Sequence, residues 1–570
     1  MPEYSHPGTS TADGGYAKRS SKLIGSVSQL SGSTAFAVSW GFEITRSSDH
    51  RITGSPQQPS GAVRQILLVL LISCCALLLS CSGHSDPNTL VMVIESSPVN
   101  LDPRVGTDSQ SERISELIFD SLLRKDEHFK LLPWVAESWE IPDPQTYIFH
   151  LRKGIRFHDG RPLTSRDVKW TLDSMNNGSV VSIRAATYRH VTKVEAPDDA
   201  TVIVHLDEPD ATLLWNLSDG AFGIVPYGSG KELTGHPIGS GPFRFVRLDP
   251  DSQVILERND KYWAKPANVA RVRLSVVPDA TTRALELRKG SADLVASNSL
   301  GADMVNTLRR DPKLQVQREP GTGLLYVAFN LRDPMLKDAR VRQALAYAID
   351  RQPILDALFG GYGRLADSVL PPEHWAYDGD VQHYPYSPEK ANALLDEAGF
   401  PRGKDGVRFH LTIKTSTEET SRLLAAVLQQ QLREIGIALD IRTFEFATFY
   451  SDIVRGAFQL YSLRWVGGSN QDPDIFEYAF HSASFPPKRA NRSYYSNPQV
   501  DALINRGRKT VDQAERKRIY AQVQQILARD LPYIDFWYMD NVLVHTNRIR
   551  DLELSPSGNY DYLTTAEWAR

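Results

Sequence analysis

The residues that could do covalent chemistry in this chain are few. Its thiols are Cys74, Cys75 and Cys81, and no cysteine follows Cys81. A nucleophile elbow of the form Gly-x-Ser-x-Gly is absent; Ser240 lies between Gly239 and Gly241, which is the wrong spacing. No His-Glu-x-x-His helix supplies a metal pair. Gly230-Lys231-Glu232 lacks both ends of a phosphate-binding loop, and Gly321-Thr322-Gly323 lacks the third glycine of a dinucleotide turn. His150 and His158 flank a predicted turn and read as structural, while His481 and His545 have no companions at ligand spacing. A secreted hydrolase is therefore the rival class, and no constellation speaks for it. One segment suits binding instead: Trp465 offers a flat apolar wall, and Gly467 and Gly468 let a backbone approach closely. The alternative there is a glycine-rich surface turn capping a buried tryptophan.

The cysteines sit in or beside the apolar run Ile66–Leu79, which is shorter than the ~20 residues a spanning helix needs. Arg64 precedes the run, and Leu78-Leu79-Ser80-Cys81 closes it. This resembles the bacterial lipobox: a small residue before the cut, then a thiol for acylation. Residues 63–80 are accordingly expected to be a lipoprotein signal peptide with Cys81 as the lipidated first residue of the mature chain. Residues 1–62 are rich in Ser, Gly and Thr and read as a disordered leader or a misassigned start. With one modified thiol no disulfide can form, so stability must come from a large core.

The elements that would position a site are legible by period. Thr146–Leu151, Thr201–Leu206 and Arg271–Val277 alternate as half-buried strands. Arg340–Ile349 and Thr420–Ile435 carry apolar stripes at helical spacing. Ser387-Pro388-Glu389 is an N-cap, a first-turn proline and a first-turn acid, and Gly399 stops that helix. Asn497-Pro498 opens another helix, and a further one spans about 512–530. The mixture predicts an α/β protein. Proline and glycine are spread over short turns rather than gathered in a linker, as expected of two lobes that the chain crosses more than once. Length gives room for several domain-sized units, and 41 % hydrophobic with 23 % charged residues excludes a wholly disordered or polytopic membrane chain. The net charge of −4 carries no basic excess for nucleic acid.

Six segments in order resemble the extracellular solute-binding proteins of family 5, the receptors of peptide-type ABC transporters. They are Leu132–Glu140; Tyr147–Gly160 with Leu163–Val168; Gly239–Phe243 with Asn259–Trp263; Ala328–Asn330 with Asp338–Leu345; Tyr384–Gly399; and Tyr494–Pro498 with Leu531–Ile534. The resemblance implies a two-lobed Venus-flytrap fold with an extra subdomain. Lobe one would cover 88–327, with the subdomain at about 124–235, and lobe two 328–534, with 535–570 returning to lobe one. Hinges would lie near Tyr326–Asn330 and Ile534–Trp537. It also implies a pocket at Trp465, Val466, Gly467, Gly468, Ser469 and Asn470, faced by Thr107 and Asp108, for which an ordinary loop and helix N-cap is the alternative. Two departures stand out. Relatives often hold a peptide ammonium with an Asp where this chain has Gly468, and dipeptide-type relatives hold the carboxylate with an Arg where it has Thr415-Ser416-Thr417. Thr415 and Thr417 are taken as pocket candidates in that place. The resemblance further implies a non-catalytic, monomeric receptor without cofactor, lipid-anchored in the cell envelope. It would deliver an oligopeptide, or a metal chelate, oligosaccharide or opine, to permease subunits with cytoplasmic ATPases.

Overall fold

The computed structural model describes residues 88–218, 222–296, 300–465 and 472–569. The expected leader, signal peptide and Cys81 lie outside the described residues. So do Val466, Gly467, Gly468, Ser469 and Asn470.

An 11-stranded mixed sheet runs through the molecule. In one half the fully buried strand Thr89–Ile94 pairs in parallel with Arg271–Val276 and Leu294–Ala296. Gln253–Arg258 and Phe243–Asp249 then extend that half as antiparallel neighbours. In the other half Phe409–Ser416 pairs in parallel with both Ile437–Phe444 and Leu460–Trp465. Two long antiparallel strands join the halves, Leu314–Phe329 and Tyr533–Thr546. Their register breaks between Glu319 and Gly323, opposite Asn541 and Met539. Gly321 sits in that break, where an added Cβ would come 2.3 Å from the Met539 carbonyl oxygen. The two glycines of Gly321-Thr322-Gly323 thus shape a strand irregularity.

Residues between 124 and 235 carry a separate four-stranded antiparallel sheet, in the order Ala136–Asp143, Thr146–Leu151, Thr201–Leu206, Val191–Asp198. Tyr147, Phe149 and Leu151 alternate inward on the second of these strands, as the period-two pattern requires. This segment packs against the end of the helix Pro498–Lys509 and against Trp375: Ala211 N–H donates to the Arg508 carbonyl at 2.7 Å, Lys509 pairs with Glu208 at 3.0 Å, and Trp215 meets Trp375 with ring centroids 5.5 Å apart.

Local capping explains the helix limits. Ser387 accepts from Lys390 N ahead of Pro388–Glu397, and Gly399 beyond that helix has φ +85°. Glu418 caps Glu419–Glu434, and Gly436 follows at φ +83°. Asn497 accepts from Gln499 N and Val500 N at the start of Pro498–Lys509. No helix among the described residues is long and apolar enough to cross a membrane.

Buried polar hubs lock the framework. Asp120, 1 % exposed, accepts from Trp134 Nε1 (2.8 Å), Ser240 Oγ (2.9 Å), Tyr262 Oη (2.8 Å) and Trp263 Nε1 (3.0 Å). In the other half Arg342 donates to the carbonyls of Leu336, Lys337, Asp530 and Leu531, while the Asp530 carboxylate accepts from Tyr495 Oη and Asn497 Nδ2.

Candidate functional site

The strand Leu460–Trp465 pairs along Leu324–Phe329 and sets Trp465 opposite Leu324. On its other side runs Phe409–Ser416, parallel to it, so Trp465 and Thr415 stand toward the same C-terminal edge of the sheet. In open α/β sheets that edge is where ligands bind. Trp465 is buried, with its ring stacked on Tyr326 (5.8 Å, 19°), an edge contact from Tyr478 (6.0 Å) and the Arg492 guanidinium 5.5 Å above it. Its indole N–H has no partner among the described residues. Thr415 is buried too, and its hydroxyl likewise lacks a partner among them. Thr417 is exposed beyond the strand end.

The chain leaves this region through Asp472-Pro473-Asp474, a firmly held turn. Asp472 accepts from Asp474 N–H at 2.8 Å and takes both terminal nitrogens of Arg516 at 3.0 and 3.1 Å. Arg516 is completely buried and lies over the rings of Trp215, Trp375 and Tyr520 at 4.7–5.5 Å. Burial opposes its charge, and Asp472 more than restores it. Asp474 pairs with Arg508 at 2.7 Å.

Thr107 and Asp108 belong to the loop ahead of the helix Ser109–Ile118. Thr107 is exposed. Asp108 is that helix's N-cap, accepting from Ser111 N at 2.9 Å, from the Ser111 hydroxyl and from Val99 N at 3.3 Å. No hydrogen bond or ion pair among the described residues joins this loop to Trp465 or Thr415. Arg492 and the tyrosines Tyr326, Tyr450, Tyr461, Tyr478 and Tyr533 around Trp465 escaped the sequence reading. They arrive from six separate stretches of the chain and share no local pattern.

The residues weighed for catalysis take structural places. Ser240 is fully buried on Asp120. His158 bonds the Gly241 carbonyl at 3.0 Å and accepts from Gly239 N–H at 3.3 Å; burial pushes it down to about 4. His150 faces Glu140 at 3.1 Å on the sheet surface. Among the described residues no group of three His, Cys, Asp or Glu side chains could hold a metal ion.

Residues 130–486 match the family model described as "Bacterial extracellular solute-binding proteins, family 5 Middle". Heme-binding protein A of Haemophilus influenzae is 29 % identical over 506 residues, covering 84 % of this chain and 92 % of that protein. The dipeptide-binding protein of Escherichia coli K12 is 28 % identical over 473 residues, covering 78 % and 88 %. The structure of the ABC transporter substrate-binding protein CtaP from Listeria monocytogenes superposes with a TM-score of 0.76 at 26 % identity, covering 84 % of this chain and 99 % of that one.

Proposed function

The chain belongs to the bacterial extracellular solute-binding proteins of family 5 and has their two-lobed periplasmic-binding-protein fold; on that premise we propose that it is a non-catalytic receptor of an ABC importer that captures an oligopeptide between its lobes. The observation that carries this reading is the C-terminal strand edge at Trp465 and Thr415. There a buried indole N–H and a buried hydroxyl stand without partners among the described residues, at the position where such sheets bind ligands. A peptide main chain can satisfy such groups by pairing along a strand end. The relatives include a protein named for dipeptides and one named for heme, so the peptide is the point under test.

In place of the hinges expected near Tyr326–Asn330 and Ile534–Trp537, where the strands pair as Val327–Ile534 and Ala328–Tyr533, the proposal sets the hinge at the register break, Glu319–Gly323 and Met539–Asn541, with the segment 124–235 as the extra subdomain of lobe one. Closure around a solute is then a hinge motion of the two long strands. Residues 63–80 would direct export, and acylated Cys81 would anchor the mature receptor in the cell envelope. Val466, Gly467, Gly468, Ser469, Asn470, Thr415 and Thr417 would contact the solute from lobe two, and Thr107 and Asp108 from lobe one. Membrane permease subunits with cytoplasmic ATPases would accept the solute.

Native mass spectrometry of the soluble form from Ser82, followed by denaturation and identification of released solute, tests this reading. A ladder of peptides is the expected result. A single non-peptide compound would keep the receptor and overturn the peptide.

A further inference from the structure

Five arginines in the described chain are buried: Arg104, Arg283, Arg342, Arg492 and Arg516. Four of them have strong acceptors. Arg104 pairs with Asp102 at 2.8 Å, and Arg516 with Asp472 at 3.0 Å. Arg283 donates to the carbonyls of Val277 and Pro278, and Arg342 to four carbonyls. Arg492 differs. It is 8 % exposed, forms no ion pair among the described residues, and donates to one phenol, Tyr450 Oη, at 2.8 Å. Its guanidinium lies 5.3 Å from the Tyr450 ring centroid and 5.5 Å from that of Trp465. Burial alone would pull its pKa down, but the net shift among the surrounding phenols is upward, and a guanidinium stays a cation. A buried cation without a counter-ion is strongly unfavourable unless something else supplies the acceptors.

The groups around it are an indole N–H, which only donates, and phenol hydroxyls, which both donate and accept. Tyr326 stacks on Trp465 at 5.8 Å and on Tyr533 at 4.4 Å and makes an edge contact with Tyr461 at 6.1 Å, so these rings are contiguous. Trp465 Nε1 is buried and lacks a partner among the described residues, while the phenols of Tyr326, Tyr461 and Tyr533 interact with one another. One cation and one unpartnered indole N–H therefore share a cluster of phenols, with no carboxylate of the described chain paired to Arg492. Tyr450 and Tyr478, which border the cluster, are 38 % and 39 % exposed and give it a solvent edge.

We propose that Arg492 is the anion anchor of the solute site, taking a carboxylate of the solute with Trp465 Nε1 as a further donor. The proposal rests on the receptor reading above and narrows its solute class to molecules with a free carboxylate. The aromatic walls favour a carboxylate carried on an apolar or aromatic residue, since the rings offer faces for stacking beside the charge.

The test uses the soluble protein from Ser82 and a degenerate tetrapeptide library, offered as free acids and as C-terminal amides, with retained species read by native mass spectrometry. The wild type is expected to retain the acids over the amides by about ten- to a hundredfold, the range for a hydrogen-bonded charged group. Arg492→Gln is expected to lose that preference and Arg492→Lys to keep part of it. Acids and amides retained equally by the wild type would overturn the anchor and leave the peptide reading standing, a result that needs no variant to fold. If neither library is retained, the peptide reading falls and a bare carboxylate decides the anchor. In that case propionate is expected to raise the melting temperature of the wild type and not of Arg492→Gln; equal shifts, or none in the wild type, would overturn it.

Discussion

The buried pair Arg516–Asp472 fixes the chain at the Asp472-Pro473-Asp474 turn, and its removal has a calculable signature. Arg516→Met keeps an unbranched side chain of similar length between Trp215, Trp375 and Tyr520 but takes away the guanidinium. Asp472 is then left with one backbone donor, Asp474 N–H at 2.8 Å, and a carboxylate facing aromatic rings. Breaking one side of a buried pair is expected to cost about 3–5 kcal/mol. Asp472→Asn strands the guanidinium in the same way and should cost a similar amount. The double variant strands neither charge. It loses the cation–π contacts, worth about 0.5–2 kcal/mol, and the bond from Arg516 Nε to the Gly507 carbonyl at 3.2 Å. Its expected loss is therefore well below the sum of the single losses, with a coupling of at least about 2 kcal/mol. Urea unfolding of the four proteins, followed by tryptophan fluorescence and by circular dichroism, measures the cycle. Additive losses would refute the reasoning, because the two side chains would then stabilise the protein independently.

Asp120→Ala removes the acceptor of four donors, of which Ser240 and Tyr262 are buried and Trp134 and Trp263 half-buried, a buried one costing about 1–3 kcal/mol when orphaned; a fall in thermal stability larger than that of any single-donor variant, such as Ser240→Ala, is expected in calorimetry. Asp535, pushed up to about 7 by burial and by Asp367 against Arg351, keeps its proton in the folded chain after an unfolded chain, with its value near 3.8, has lost it. Stability should therefore fall as pH rises from about 4 to 7 and then level off. Asp535→Asn should gain on the wild type in melting temperature between pH 5 and pH 8, and a pH-independent difference would contradict this. Gly321→Ala places a Cβ 2.3 Å from the Met539 carbonyl oxygen, so one of the crossing strands must shift; small-angle scattering should show a changed distribution of open and closed forms, with an unchanged profile counting against a hinge at this point.

The sequence segments that were legible turn out to build the framework. Trp134, Ser240, Tyr262 and Trp263 come from two of the segments and converge on Asp120, a residue in none of them. Arg342, Tyr495 and Asn497 likewise converge on Asp530. Caps such as Ser387 and Glu418 act within a few residues of themselves, so local chemistry reveals them. The surroundings of Trp465 follow no such rule. Arg492 reaches it from beyond the helix Ile475–Phe480, and Arg516 reaches Trp215 across most of the chain, so neither contact leaves a periodic trace. Gly321-Thr322-Gly323 shows the same difficulty: as a string it is an incomplete dinucleotide turn, and only strand pairing reveals it as a break in register.

The strand order also dictates when this protein can become itself. Tyr533–Thr546 is the fourteen-residue strand that lies between Leu314–Phe329 and Leu294–Ala296, in the middle of the sheet, yet it follows every other strand of that sheet along the chain. Until it arrives, Leu314–Phe329 presents an unpaired apolar edge and the two halves of the sheet have no strand between them. Folding to completion is thus a late, long-range event, slow by the measure of contact order and open to misassociation while it waits. A chain cut short before Tyr533 loses the middle of its sheet, so both lobes depend on the same closing stretch of sequence.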